Sequence, residues 1–123
     1  LELLLKGYDV RVLTTNLKRA KEKLPLPVTF FENPSDELFN DSHAVIHLAG
    51  EPIAERRWSP DVKERIRSSR TEGTQKLIKA IAHAPRAPKI FISSSAIGFY
   101  GERGSEVLNE GSSPGSGFLA EVC

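Results

Sequence analysis

The sequence predicts an α/β fold in which a parallel sheet is covered by helices on both faces. Three observations carry this expectation: apolar runs alternate with helix-patterned stretches, the runs at residues 44–48 (AVIHL) and 89–93 (KIFIS) are near-continuous, and one long amphipathic stretch separates them. Strands that read as unbroken apolar runs are those buried on both faces, and a helix between two of them is the crossover that parallel pairing requires.

Taken in order, residues 8–15 (YDVRVLTT) fill with Val10, Val12 and Leu13 and form the first strand of this chain. Residues 16–24 are polar and basic, a short helix or a loop. Pro25 and Pro27 lie in the stretch LPLPVTFFE, whose Val28, Phe30 and Phe31 form a second, shorter strand. After a turn at Asn33-Pro34, the run SDELF is a brief helix with Ser35 as its N-cap, because a serine hydroxyl there accepts a hydrogen bond from an otherwise unpartnered helix amide. Residues 44–48 are the third strand, ended by Ala49 and Gly50.

Ser59-Pro60-Asp61 then supplies an N-cap, a proline at the first helical position and an acid in the first turn, and the helix runs to about His83. Val62, Ile66, Ser69, Gly73, Leu77, Ala80 and Ile81 recur at three- and four-residue steps, with Lys63, Glu64, Arg67, Lys76 and Lys79 mostly off that stripe. Gly73 costs the helix ~1 kcal/mol relative to alanine, so its expected use is close approach of helix to sheet. Pro85 and Pro88 close the helix and feed the strand that begins at Lys89, and residues 109–117 (NEGSSPGSG) form a flexible loop.

The chain of 123 residues fits one domain, and its 39% hydrophobic and 27% charged residues are ordinary for a soluble protein. With 17 basic against 16 acidic side chains there is no electrostatic case for nucleic acid, and the ERRW and KERIRSSR runs read as solvated surface. No apolar run is long enough for a membrane span or a secretory signal, and the single cysteine, Cys123, excludes an internal disulfide; a cytoplasmic setting is expected. His43, His47 and His83 lack companions at zinc-like intervals, and His47 reads as a packed strand residue. There is no methionine, LELLLKG reads as the end of a helix stopped by Gly7, and FLAEVC reads as the start of another, so a window from a longer chain is expected.

Function is sought where strands end. In an open α/β sheet ligands bind outside the carboxyl ends of the strands, and right-handed crossovers bring those ends to one edge. The endings at Thr14 and Thr15, at Ala49 and Gly50, and at Ser93, Ser94 and Ser95 are therefore expected to line a common cleft. The three serine hydroxyls suit a cofactor ribose or a reacting oxygen; equally, they suit the satisfaction of local backbone groups.

The motifs DSHAVIHLAGEPIAERRW, SRTEGT, FISSSAIGFYGERG and FLAEVC together resemble the epimerase-like branch of the extended short-chain dehydrogenase/reductases, and in particular nucleoside-diphosphate-sugar epimerase-type proteins with the LAGEPI signature. The resemblance implies a Rossmann-like doubly wound parallel sheet, with residues 1–123 forming a partial NAD(P)-binding domain that lacks the first strand and the glycine-rich GxGxxG loop. It places Leu48, Ala49 and Gly50 beside the cofactor, with Thr14, Thr15 and Asn16 at the adenosine ribose. Ser95 corresponds to the serine that hydrogen-bonds the substrate oxygen, Ser93 and Ser94 lie nearer the cofactor, and Tyr100 is a loop-shaping residue or a catalytic one. A homodimer is implied by the resemblance alone.

Two positions depart from the family. Arg70 stands where the family at large carries Asn, and the best register puts Leu119 and Cys123 at the positions of the family's Tyr-x-x-x-Lys pair, where neither exchanges a proton as Tyr and Lys do. The expected function is an NAD(P)-dependent epimerase or oxidoreductase acting on a sugar-nucleotide-like or other alcohol or ketone substrate. The alternative is a dinucleotide-binding regulator or redox sensor without turnover. NADP is expected in preference to NAD, because Thr14, Thr15 and Asn16 include no acid to accept from ribose hydroxyls, while Lys18 and Arg19 follow closely.

Overall fold

A single turn, α1 (Glu2–Leu5), opens the chain and stops as expected at Gly7, whose φ of 80° lies in the left-handed region. There the Tyr8 amide donates to the Leu3 carbonyl and the Gly7 amide to the Leu4 carbonyl, the paired closure of a Schellman motif. The computed structural model describes residues 1–55 and 57–123; Arg56, within the ERRW run, lies outside the described residues. The chain, read from its sequence as one partial domain, divides into two compact units, Leu1–His43 with Lys79–Lys89 and Ala44–Ile78 with Ile90–Cys123.

In the first unit, β1 (Arg11–Leu13) pairs in parallel with β2 (Thr29–Phe31), Val12 opposite Phe30, and the Thr14 amide extends the ladder to the Phe31 carbonyl. Between them lies α2 (Leu17–Lys23), so the polar stretch is a helix, capped by the Asn16 side chain, which accepts from the Arg19 amide. The brief helix α3 (Asp36–Phe39) is capped by Ser35 and buries Leu38 and Phe39. Arg11 donates to the carbonyls of Glu37, Leu38 and Asn40, satisfying groups that the end of α3 leaves without helical partners.

In the second unit, β3 (Ala44–His47) pairs in parallel with β4 (Ile90–Ser93), placing His47 opposite Ser93. The crossover is α4 (Pro60–His83), whose last five residues fall in the first unit; Ser59 caps it, accepting from the Val62 amide. Val62, Ile66 and Leu77 of the stripe are buried, Ile66 completely. After a 3-10 turn (Ile97–Tyr100) and a long loop, α5 (Phe118–Val122) buries Val122.

The two strand pairs form separate two-stranded sheets, as expected of a Rossmann-like sheet without its first strand. Two expectations are corrected. The strands are not buried on both faces: along β3 Val45 and His47 are half-buried whereas Ile46 is 47% exposed, and all of β4 is exposed, Ile92 by 51%. Double-sided burial needs cover on both faces, and the alternation along β3 shows cover on one. Nor does Gly73 mark a close approach, since a Cβ there would meet only the Ser68 carbonyl, at 3.9 Å.

Candidate functional site

The second unit brings two of the predicted strand ends together. Because β3 and β4 run parallel with His47 opposite Ser93, the chain leaves both strands at the same edge, and the Ser94 amide donates to the His47 carbonyl at 3.1 Å to close the last rung. Leu48, Ala49 and Gly50 continue from one strand and Ser94 and Ser95 from the other, and all five are exposed. Ser93 is exposed too, and the Ser94 hydroxyl donates to the Ser95 carbonyl at 3.3 Å. The edge therefore presents small residues on one side and hydroxyls on the other.

Helix α4 fixes this edge from below. His47 Nε2 lies 2.9 Å from Thr74 Oγ1 and its ring tilts against Phe91, so the histidine is engaged in packing as its strand position suggested. The Glu51 amide donates to Ser69 Oγ at 3.0 Å, Ser69 donates onward to the Ile66 carbonyl, and Arg70 Nη1 donates to the carbonyls of Glu51 and Ile66. The Arg65 side chain pairs with the Glu51 carboxylate at 3.6 Å. Sequence reasoning singled out Arg70 only as a departure and Ser69 only as a stripe position; a polar Ser69 on an otherwise apolar stripe, with Arg70 next to it, was the available signal.

Beyond Ser95 the chain enters the 3-10 turn, which packs on α5 closely enough that a Cβ on Gly98 would stand 2.9 Å from Leu119 Cβ. Leu119 therefore sits against the turn at Gly98, three residues past Ser95. The Tyr100 hydroxyl donates to the Asn109 carbonyl at 3.0 Å, the geometry of its loop-shaping role. Residues 109–117 are a loop as expected, yet an internally bonded one: Asn109 Oδ1 accepts from the Gly111 amide, and the Asn109 amide donates to Ser112 Oγ. Arg103 forms two hydrogen bonds to the Glu106 carboxylate, holding that carboxyl below its usual range, and a third to the Ser113 carbonyl. Trp58 meets Phe118 edge-on at 5.6 Å, and Lys63 and Arg67 lie against the Phe118 ring.

In the first unit, Thr14 Oγ1 accepts from the Asn16 amide, while Asn16 Oδ1 caps α2. Thr15, Lys18 and Arg19 are exposed around this turn. Among the described residues no group of three or more His, Cys, Asp or Glu gathers as a metal site, and no helix is long and apolar enough to cross a membrane.

The model of the NAD dependent epimerase/dehydratase family matches residues 1–117. The chain belongs to this family. It is 36% identical to the chloroplastic epimerase family protein SDR39U1 homolog of Arabidopsis thaliana over 95% of its own length and 35% of that protein's. Among solved structures, human epimerase family protein SDR39U1, crystallised with NADPH, superposes with a TM-score of 0.73 at 27% identity, covering 98% of this chain and 40% of that one. The nucleoside-diphosphate sugar epimerase from Corynebacterium glutamicum superposes with a TM-score of 0.69 at 36% identity, over 95% of this chain and 24% of that one. Both neighbours carry the Rossmann-like fold, of which the present chain is a part. The chain thus spans between about a quarter and two fifths of these relatives.

Proposed function

We propose that the full-length protein binds NADP(H) and works as an oxidoreductase or epimerase on an alcohol or ketone of the sugar-nucleotide kind. The observation that carries this reading is the shared edge of β3 and β4, where the Leu48, Ala49 and Gly50 segment lies beside three exposed serines. The donor set fits a nicotinamide dinucleotide: small residues let a flat ring and ribose approach the backbone, and serine hydroxyls pair with ribose hydroxyls. Bound there, the nicotinamide supplies a hydride acceptor and donor. Ser93 and Ser94 are assigned to the cofactor side, and Ser95 to the substrate oxygen, to which its hydroxyl donates.

NADP in preference to NAD is supported by the acid-free turn of Thr14, Thr15 and Asn16, by exposed Lys18 and Arg19 after it, and by the NADPH with which the human relative was crystallised. Titration of the full-length protein is expected to give at least ~10-fold tighter binding of NADPH than of NADH, equivalent to ~1.4 kcal/mol. Tighter binding of NADH overturns the assignment.

For turnover, Ser95→Ala is expected to lower kcat about tenfold while cofactor affinity stays within a few-fold, since it removes one donor to the reacting oxygen. Tyr100→Phe is expected to lower kcat less, by releasing the loop at Asn109. Equal rates in wild type and Ser95→Ala sink the role of Ser95. The packing of Leu119 against Gly98 favours a second reading, a dinucleotide-binding sensor, because the side chain packed there has no exchangeable proton to give or take. Tight NADPH binding with no turnover on any sugar nucleotide, alcohol or ketone selects that reading.

A further inference from the structure

An ideal Cβ built on Gly50 falls 2.9 Å from Arg70 Cζ, 3.0 Å from Nη2 and 3.2 Å from Nη1. Because the central carbon is nearest, the guanidinium meets Gly50 with its face rather than its edge. The same group donates through Nη1 to the Glu51 carbonyl at 3.0 Å and to the Ile66 carbonyl at 3.3 Å, so its plane is held on α4 and pressed under the strand-end segment at once. Its remaining hydrogen bond, from Nη1 to Ser69 Oγ, is longer at 3.5 Å, so the side chain engages chiefly backbone and thereby controls where that backbone lies.

We propose that Arg70 is a positioning residue: its guanidinium face sets the height of the Ala49, Gly50 and Glu51 backbone, and Gly50 is glycine because Arg70 occupies the space of a side chain. The proposal rests on the dinucleotide reading for its consequence, since this is the backbone that the cofactor would approach. It explains a feature of the sequence that family resemblance leaves open, namely an arginine at a position where Asn is usual. Arginine suits the task because one planar group both covers a Cα and bridges two carbonyls, which the point charge of lysine does not. Gly50→Ala places a methyl carbon 2.9 Å from the guanidinium carbon, inside contact distance, so the arginine must shift, and on this proposal the shift costs it its two carbonyls. Gly50→Ala is therefore equivalent to loss of Arg70.

The test is a double-mutant cycle in the full-length protein, read by the dissociation constant for NADPH and by hydrogen exchange at the Glu51 amide without dinucleotide. Arg70→Met and Gly50→Ala are each expected to weaken NADPH binding about tenfold, and the double variant to bind no worse than about twofold below either single. Arg70→Lys fails to rescue, whereas rescue by lysine points to charge alone and overturns the proposal. Arg70→Met is expected to speed exchange at the Glu51 amide about tenfold, because the segment that presents it to Ser69 is released. Losses that multiply in the double variant, or unchanged Glu51 exchange, also overturn it. If wild type binds neither NADPH nor NADH, the dinucleotide reading falls, while Glu51 exchange still decides the role of Arg70. Should Arg70→Met fail to fold, Arg70→Lys and Gly50→Ala supply the same two measurements.

Discussion

The 123-residue chain taken alone is expected to unfold in urea gradually, without a sigmoidal transition. The four strands among the described residues form two separate two-stranded sheets, and a two-stranded sheet is marginal in water unless further strands or helices cover it. Cover is incomplete: Ile46, Ile90, Phe91 and Ile92 all leave large apolar surface in solvent, on strands whose backbone groups have a partner along one edge only. Among the described residues the buried apolar side chains are Leu38, Phe39, Val62, Ile66, Leu77 and Val122. Whole domains are stable by only ~5–15 kcal/mol, a margin that so small a core and four open strand edges should remove. Circular dichroism against urea checks this. A sharp transition with a slope normal for a domain of this length would show that the two sheets support themselves.

What was legible in the sequence follows the range of the interaction that fixes it. Ser35 and Ser59 set helix starts through bonds to amides three residues away, and Gly7 stops α1 through its own φ, so these ends could be read locally. The parallel pairing of β3 with β4 was legible because α4 between them carries its own cap and stripe. The burial of the strands was not, because an unbroken apolar run states what a strand needs and not what covers it. At the site, the small residues and serines were legible as strand endings. The support beneath them was hidden: Arg70 reaches Glu51 and Tyr100 reaches Asn109 across loops whose shape no local pattern encodes. Asn16 was ambiguous for a related reason, since its cap was visible only once α2 was known to be a helix.

Gly115→Ala is expected to destabilise the full-length protein by ~3 kcal/mol, at the upper end of the cost of forcing a methyl into packed structure. Gly115 donates its amide to the Phe99 carbonyl at 2.9 Å, and a Cβ on it would overlap the Tyr100 carbonyl and stand 2.7 Å from the Gly101 amide nitrogen. Those atoms are backbone, so no rotamer change relieves the overlap, in contrast to Gly50, where the obstructing group ends a flexible side chain. Gly101 cannot give way either: its φ of 66° already lies in the left-handed region, and the Ser116 backbone stands within 3.1 Å of where its own Cβ would be. The loop must therefore lift from the 3-10 turn, taking with it the Tyr100 to Asn109 hydrogen bond. Tyr100→Phe isolates the latter contribution and should cost only ~1 kcal/mol. Comparing urea midpoints separates the two variants, and a Gly115→Ala protein no less stable than Tyr100→Phe would mean that the loop does not rest on the turn in the full-length protein. Since Ser95 precedes the turn by two residues, the same lift should lower turnover in Gly115→Ala more than in Tyr100→Phe, which ties the stability of this loop to the presentation of the serine.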